Sequence, residues 1–110
     1  MVDKFVEKPN KEKAEEYIAE KLYLWNSGMF MFKPMAYLRE LKKYHPNIYD
    51  VCSSSIDSIV SDMDFRRIDK TIFESCANES VDYAVMENSS HVKVLQFDSQ
   101  WSDVGAWGAL

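Results

Sequence analysis

Two charged side chains, Glu7 and Lys8, stand where a short predicted strand over residues 2–6 ends. Because Pro9 keeps Lys8 extended and cannot donate to a sheet, both side chains are presented at the carboxyl end of that strand. Open α/β sheets bind their ligands at this end, and a lysine ammonium with three donors suits a phosphate. The alternative is a charged pair in a solvated turn.

Asn26, Ser27 and Gly28 precede an apolar run over residues 29–32 that is typical of a strand buried on both faces. The two polar side chains offer donors and acceptors at the mouth of this strand. Gly28 lets the backbone approach a ligand closely, or adopt dihedral angles closed to other residues. A turn that leads into a core strand is the alternative.

Asp103 is the best intrinsic candidate for a metal ligand, since Trp101, Trp107 and Gly105 flank it. We expect this partly dry setting to strengthen the interaction of its carboxylate with a cation. Asp103 also suits the N-cap of a helix that begins at Val104, and the two roles can coexist.

Asp82 and Tyr83 follow Ser80, which can cap a helix whose first turn then holds the Asp82 carboxylate. The alternative is that both side chains point at a ligand from the helix start. Spacing alone favours the capping explanation.

The elements that would position these residues alternate between helical and strand periodicity, which predicts an α/β domain. The predicted helices span residues 11–21, 34–44 and 48–60, and the predicted strands span residues 2–6, 25–32 and 91–97. Asn10, Pro34 and Asp69 suit helix starts, the last for a short helix that carries Ile72. Residues 62–64 are expected to form a solvated loop.

Composition excludes several classes of protein. A hydrophobic content of 46% predicts a packed globular body, and a net charge of −5 makes a nucleic-acid partner unexpected. No apolar run approaches the roughly 20 residues of a membrane span, so we expect a cytoplasmic protein with no membrane partner. Cys52 and Cys76 lack metal-site spacing and are expected to be buried thiols.

Four segments, in this order along the chain, together resemble bacterial mannose-1-phosphate guanylyltransferases, including the form fused to a phosphomannose isomerase domain. The segments are Phe5-Val6-Glu7-Lys8-Pro9, Trp25-Asn26-Ser27-Gly28-Met29-Phe30, Glu79-Ser80-Val81-Asp82-Tyr83-Ala84-Val85-Met86-Glu87 and Trp101-Ser102-Asp103-Val104-Gly105. The first motif is shared by sugar-phosphate nucleotidyltransferases in general. The second and third are more particular to the mannose guanylyl branch.

The resemblance implies a Rossmann-like, GT-A type nucleotidyltransferase domain with a mixed sheet and flanking helices. It also implies that mannose 1-phosphate attacks the α-phosphorus of GTP, with Mg²⁺ as cofactor, to give GDP-mannose and pyrophosphate. The implied catalytic residues are Lys8, on the sugar phosphate, and Asp103, a Mg²⁺ ligand. The implied substrate-binding residues are Glu7, Lys8, Asn26, Ser27, Gly28, Asp82 and Tyr83.

Enzymes of this kind carry a glycine-rich nucleotide loop near the N-terminus, whereas this chain has three glycines. We therefore expect residues 1–110 to be the C-terminal, sugar-phosphate-binding half of a catalytic domain, which is inactive alone. GTP is expected to bind mostly to the other half. The alternatives are a transferase for another sugar 1-phosphate or nucleotide, and a non-catalytic binding or assembly module. The sequence leaves open whether the protein forms a homo-oligomer.

Overall fold

The computed structural model describes residues 1–99 and 101–109. Helices dominate the described residues, and a two-stranded antiparallel hairpin accompanies them, in agreement with the predicted α/β class. In chain order the elements are α1 (Lys11–Glu20), α2 (Pro34–Tyr44), α3 (Pro46–Asp57), β1 (Val60–Asp62), β2 (Phe65–Arg67), α4 (Lys70–Glu74), a π-helical turn (Asp82–Met86) and a 3₁₀ turn (Trp107–Ala109).

Local capping explains where the helices begin. The Asn10 side chain accepts a hydrogen bond from the Lys13 backbone at 2.9 Å, and Asp69 accepts one from Ile72 at 2.9 Å. Pro34 and Pro46 occupy first-turn positions of α2 and α3, where the missing N–H of proline costs nothing. The predicted helix starts at Asn10, Pro34 and Asp69 are therefore confirmed.

The core lies between α2, α3 and the π-helical turn. Leu41, Ala84 and Val85 are buried, and the partly buried Tyr37, Ile48 and Tyr49 pack against them. This contact joins the middle of the chain to its third motif, since α2 contributes Leu41 and the π-helical turn contributes Ala84 and Val85. The motif therefore stands on the most buried part of the molecule.

The strand placements differ from the prediction. Residues 2–6, 25–32 and 91–97 run without regular strand pairing in the described ranges, where one hydrogen bond, from Val2 N–H to the Val92 carbonyl at 3.1 Å, joins the first to the last. A strand needs a neighbour for its ladder. Met31, which was predicted to be buried, is 100% exposed, and Leu95 in the last predicted strand is 92% exposed. Met63 and Asp64 form the exposed turn of the hairpin, as expected for a solvated loop, whereas Asp62 ends β1 and pairs with Phe65.

Helix α3 is shorter than predicted. It ends at Asp57, and Val60, which was predicted to be helical, is the first residue of β1. Within the described residues, the helices are too short or too polar to cross a membrane.

Candidate functional site

Three of the four motifs meet at the π-helical turn. The Glu7 backbone N–H donates to Glu87 Oε1 at 3.0 Å, which joins the first motif to the third. The Asn26 Nδ2 donates to Asp82 Oδ1 at 3.5 Å, a long contact that joins the second motif to the third. The structure therefore brings together Glu7, Asn26 and Asp82, which are far apart in the sequence.

The Glu7–Lys8 turn presents a cation. Lys8 was predicted to be extended because it precedes Pro9, and this is wrong, since its φ is +46°. Residues other than glycine adopt this left-handed conformation rarely and often at functional sites. Its Nζ lies 3.7 Å from Glu7 Oε1, and the lysine side chain is 84% exposed while that of Glu7 is 18% exposed. The ammonium is thus open to a ligand, and a carboxylate beside it is largely shielded from water.

The Asn26 turn is held by its own side chains. Asn26 Oδ1 accepts from the Gly28 N–H at 3.0 Å, and Ser27 Oγ accepts from the Met29 N–H at 3.4 Å. Gly28 has a φ of +72°, and a Cβ there would meet nothing within 4 Å. Of the two predicted reasons for this glycine, the dihedral angle is therefore the one that the structure supports.

The π-helical turn carries the other two predicted side chains. Asp82 is half-buried and Tyr83 is 39% exposed, next to the buried Ala84. Ser80 Oγ accepts from the Tyr83 N–H at 3.4 Å, as the capping explanation predicted. Capping by Ser80 leaves the Asp82 carboxylate available for another contact, because that carboxylate faces Asn26 instead of the helix end, and π-helical turns occur frequently at functional sites.

The surroundings of Asp103 differ from the prediction. Trp101 and Trp107 are 49% and 89% exposed, so the expected dry setting is wrong. The backbone after Val104 is not helical until the 3₁₀ turn at Trp107, so Asp103 caps no helix there. Tryptophans adjacent in sequence exclude water only when another element packs on them, and the described residues provide none. Among the described residues, Asp103 forms no hydrogen bond or ion pair with the other predicted site residues.

A second polar cluster ties α2 to residues 89–91, and it was not predicted. The Ser89 hydroxyl donates to Glu40 Oε2 at 2.5 Å, and His91 Nδ1 lies 3.3 Å from Glu40 Oε1. The Ser89 hydrogen bond, aided by the His91 imidazole, lowers the pKa of Glu40. Because the serine donates to the glutamate and not to the histidine, this cluster is not a nucleophilic arrangement.

Glu87 is the residue of the site that the sequence reading missed. It lies inside the third motif, yet nothing in the local pattern indicates that its carboxylate accepts from the Glu7 backbone. Both cysteines are free thiols, as predicted, but they are half-buried instead of buried. Burial, together with the neighbouring Cys76, raises the pKa of Cys52.

The π-helical turn thus contacts both the Glu7–Lys8 turn and Asn26, through Glu87 and Asp82 respectively. The profile of the family described as "Nucleotidyl transferase" matches residues 1–110. The chain therefore belongs to the nucleotidyltransferase family, and the α/β nucleotidyltransferase fold predicted from the four motifs is confirmed.

Individual relatives show which members of the nucleotidyltransferase family this chain resembles. Over 109 residues the chain is 50% identical to a mannose-1-phosphate guanylyltransferase of Escherichia coli strain K12, and 48% identical to one of Salmonella muenchen. Each alignment covers 99% of this chain but 23% of the relative's length. The resemblance to mannose-1-phosphate guanylyltransferases is thus confirmed, for a chain that spans about a quarter of these proteins.

A solved structure shares the fold. The crystal structure titled as mannose-6-phosphate isomerase from Helicobacter pylori superposes with a TM-score of 0.85 at 32% sequence identity. The match covers 94% of this chain and 42% of that one.

Proposed function

We propose that this chain supplies the sugar-phosphate-binding part of an enzyme that transfers GMP from GTP to mannose 1-phosphate. The observation that carries the proposal is the identity of about half of the residues, along nearly the whole chain, to proteins named mannose-1-phosphate guanylyltransferase. The meeting of the Glu7, Asn26 and Asp82 segments supports it, because a sugar phosphate needs a cation and several hydroxyl partners in one place.

Different residues bind different parts of the sugar phosphate. Lys8 binds the phosphate, because its exposed ammonium is the cation of the cluster and charge-assisted contacts to phosphate are strong. Glu7 accepts from sugar hydroxyls, and the Asn26 amide, held by the Gly28 N–H, adds a donor and an acceptor. Asp82 orients the Asn26 amide, and Tyr83 lines the pocket beside it.

The reaction is a displacement at phosphorus. An oxygen of the mannose 1-phosphate forms a bond to the α-phosphorus of GTP, and the bond from that phosphorus to the oxygen bridging to the β-phosphorus breaks, so that pyrophosphate leaves. The attacking oxygen is already ionised, so the step needs no strong general base. Catalysis is then mostly alignment of two anions and neutralisation of their charge, which Lys8 supplies on the sugar side.

Mg²⁺ fits the donors present only in part. In the described residues no three His, Cys, Asp or Glu side chains cluster, and Asp103 stands as a single exposed carboxylate. Mg²⁺ commonly takes one or two carboxylates and completes its shell with water and substrate phosphates, so Asp103 suits one such position. When bound, the ion would neutralise phosphate charge, and Asp103 would hold it on the sugar-phosphate side.

GTP and mannose 1-phosphate are the proposed small-molecule partners, with GTP bound mostly by residues outside this chain. We place the reaction in the cytoplasm, where GTP is made and used. The net charge of −5 argues against a nucleic-acid partner.

The test is product analysis with the full-length protein that contains this chain. The protein is supplied with mannose, glucose or galactose 1-phosphate in all pairings with GTP, ATP, UTP and dTTP, plus Mg²⁺, and nucleotide sugars are identified by mass spectrometry. We expect GDP-mannose and an equal amount of pyrophosphate as the fastest products. A faster reaction with another sugar or nucleotide would assign the site to that substrate, and no nucleotide sugar at all would leave a binding module.

A further inference from the structure

We propose that Glu87 is a positioning residue, which holds the Glu7–Lys8 turn so that the Lys8 ammonium meets the phosphate. The inference rests on the proposed function, since it gives Glu87 a purpose only where Lys8 binds a sugar phosphate. Its basis is the hydrogen bond from the Glu7 N–H to Glu87 Oε1 at 3.0 Å, immediately before the left-handed Lys8.

The turn needs such a support. A φ of +46° at Lys8 is unfavourable for a lysine and persists only where neighbouring contacts hold the backbone. Within the described ranges, the backbone N–H groups of residues 1–8 make two hydrogen bonds to the rest of the chain, from Val2 to the Val92 carbonyl and from Glu7 to Glu87. The Glu87 contact is the one next to the lysine.

The carboxylate itself stands on a rigid element. The Glu87 N–H donates to the Asp82 carbonyl at 2.9 Å, which closes the π-helical turn. Ala84 and Val85, within this turn, are 2% and 3% exposed and pack in the core. Glu87 therefore stands on a well-packed element from which its carboxylate can hold the Glu7–Lys8 turn.

The same turn serves both ligand-binding segments. Asp82, at its beginning, contacts the Asn26 amide, and Glu87, just after its end, contacts the Glu7 backbone. One turn built on the core thus sets the distance between the sugar-binding asparagine and the phosphate-binding lysine. The backbone hydrogen bond from Glu87 to Asp82 spans five residues, as in a π-helix, so the two carboxylates stand at the two ends of one turn.

The test compares two Glu87 variants of the full-length protein. Glu87→Gln keeps an oxygen that can accept from Glu7, whereas Glu87→Ala removes it. We expect Glu87→Ala to raise the KM for mannose 1-phosphate about fivefold, and to leave the KM for GTP within about twofold, because one hydrogen bond is lost. Glu87→Gln should stay within about twofold of the parent for both substrates. Glu20→Ala, at the exposed end of α1, is the matched control for loss of a carboxylate.

A double-variant cycle tests whether Glu87 acts through Lys8. In a Lys8→Ala background, Glu87→Ala should change the KM for mannose 1-phosphate less than about twofold, since no ammonium remains to be positioned. The proposal is overturned if the two effects multiply, if Glu87→Ala raises both KM values equally, or if it changes neither.

Amide hydrogen exchange provides a readout that does not depend on turnover. In the full-length protein, exchange at the Glu7 amide should accelerate in Glu87→Ala and stay near the parent rate in Glu87→Gln. Unchanged exchange in Glu87→Ala would sink the positioning proposal alone. If instead exchange accelerates while the protein makes no GDP-mannose, the proposed function fails and the turn contact stands.

Discussion

Replacing Lys8 with alanine tests the phosphate contact on which the proposed chemistry depends. A charge-assisted hydrogen bond contributes about 1.5–3 kcal/mol, which corresponds to about tenfold to 150-fold in kcat/KM. Because the Lys8 side chain is 84% exposed, water competes for the ammonium, and we expect the lower part of this range, about tenfold to thirtyfold.

Stability should change little in the same variant. The ion pair of Lys8 with Glu7 spans 3.7 Å with the ammonium in solvent, so its loss should alter the free energy of unfolding by less than about 0.5 kcal/mol. The alanine keeps the same left-handed backbone requirement as the lysine, so the turn itself gains no new strain.

The assay is steady-state production of GDP-mannose by the full-length protein, with each substrate varied in turn, beside urea denaturation of each variant. Lys4→Ala is the matched control, since Lys4 is an exposed lysine of the same segment and lies outside the site. The reasoning is refuted if Lys8→Ala leaves kcat/KM for mannose 1-phosphate unchanged, or if Lys4→Ala lowers it equally. A loss caused by unfolding would appear in the urea curve and would equally refute a local role.

The remaining predictions concern four other features. Asp103→Asn should keep the melting temperature and lose most activity at ordinary Mg²⁺, with recovery only at high Mg²⁺ or Mn²⁺, because the ion loses an anionic ligand; normal turnover would remove Asp103 from the metal site. Gly28→Ala should lower the free energy of unfolding by about 1 kcal/mol in urea denaturation, because of the φ of +72° alone, and Gly28→Asn by less; equal costs would point to lost space instead. Burial raises the pKa of Cys52 and Tyr37, so the folded state holds these protons more tightly than the unfolded state does. The free energy of unfolding should therefore fall as the pH rises above the ordinary pKa values of 9.0 and 10.0, and the decline should be smaller in Tyr37→Phe. A urea midpoint that stays flat up to about pH 11 would contradict this prediction. The 110-residue chain alone should make no GDP-mannose, because its three glycines leave no glycine-rich nucleotide loop; product from the purified chain would disprove this.

The helices were predictable because their signals are local. Asn10 and Asp69 cap the backbone three residues ahead, and Pro34 sits at a first helical position, so each start depends on a few neighbouring residues. The strands depend on partners far along the chain. Residues 25–32 have the pattern of a strand, but a sequence pattern does not show which other strand would pair with it. Within the described residues, Met31 is fully exposed.

The sequence predicts which segments form the candidate site, but it does not predict how they contact one another. Glu7, Lys8, Asn26 and Asp82 came from the resemblance of short motifs, and the structure then brought their segments together. The contact that joins the first and third motifs is a carboxylate on a backbone N–H from a residue 80 positions away, which no local pattern specifies. Asp103 shows the converse error, because tryptophans near in sequence do not by themselves bury a carboxylate.

A crystal structure of the full-length protein with GDP-mannose would test the central claim most directly. We expect the mannose to lie within hydrogen-bond distance of the Glu7 carboxylate and the Asn26 amide, with the Lys8 ammonium on the phosphate that carries the sugar. A mannose bound elsewhere, with Lys8 left in solvent, would contradict the account.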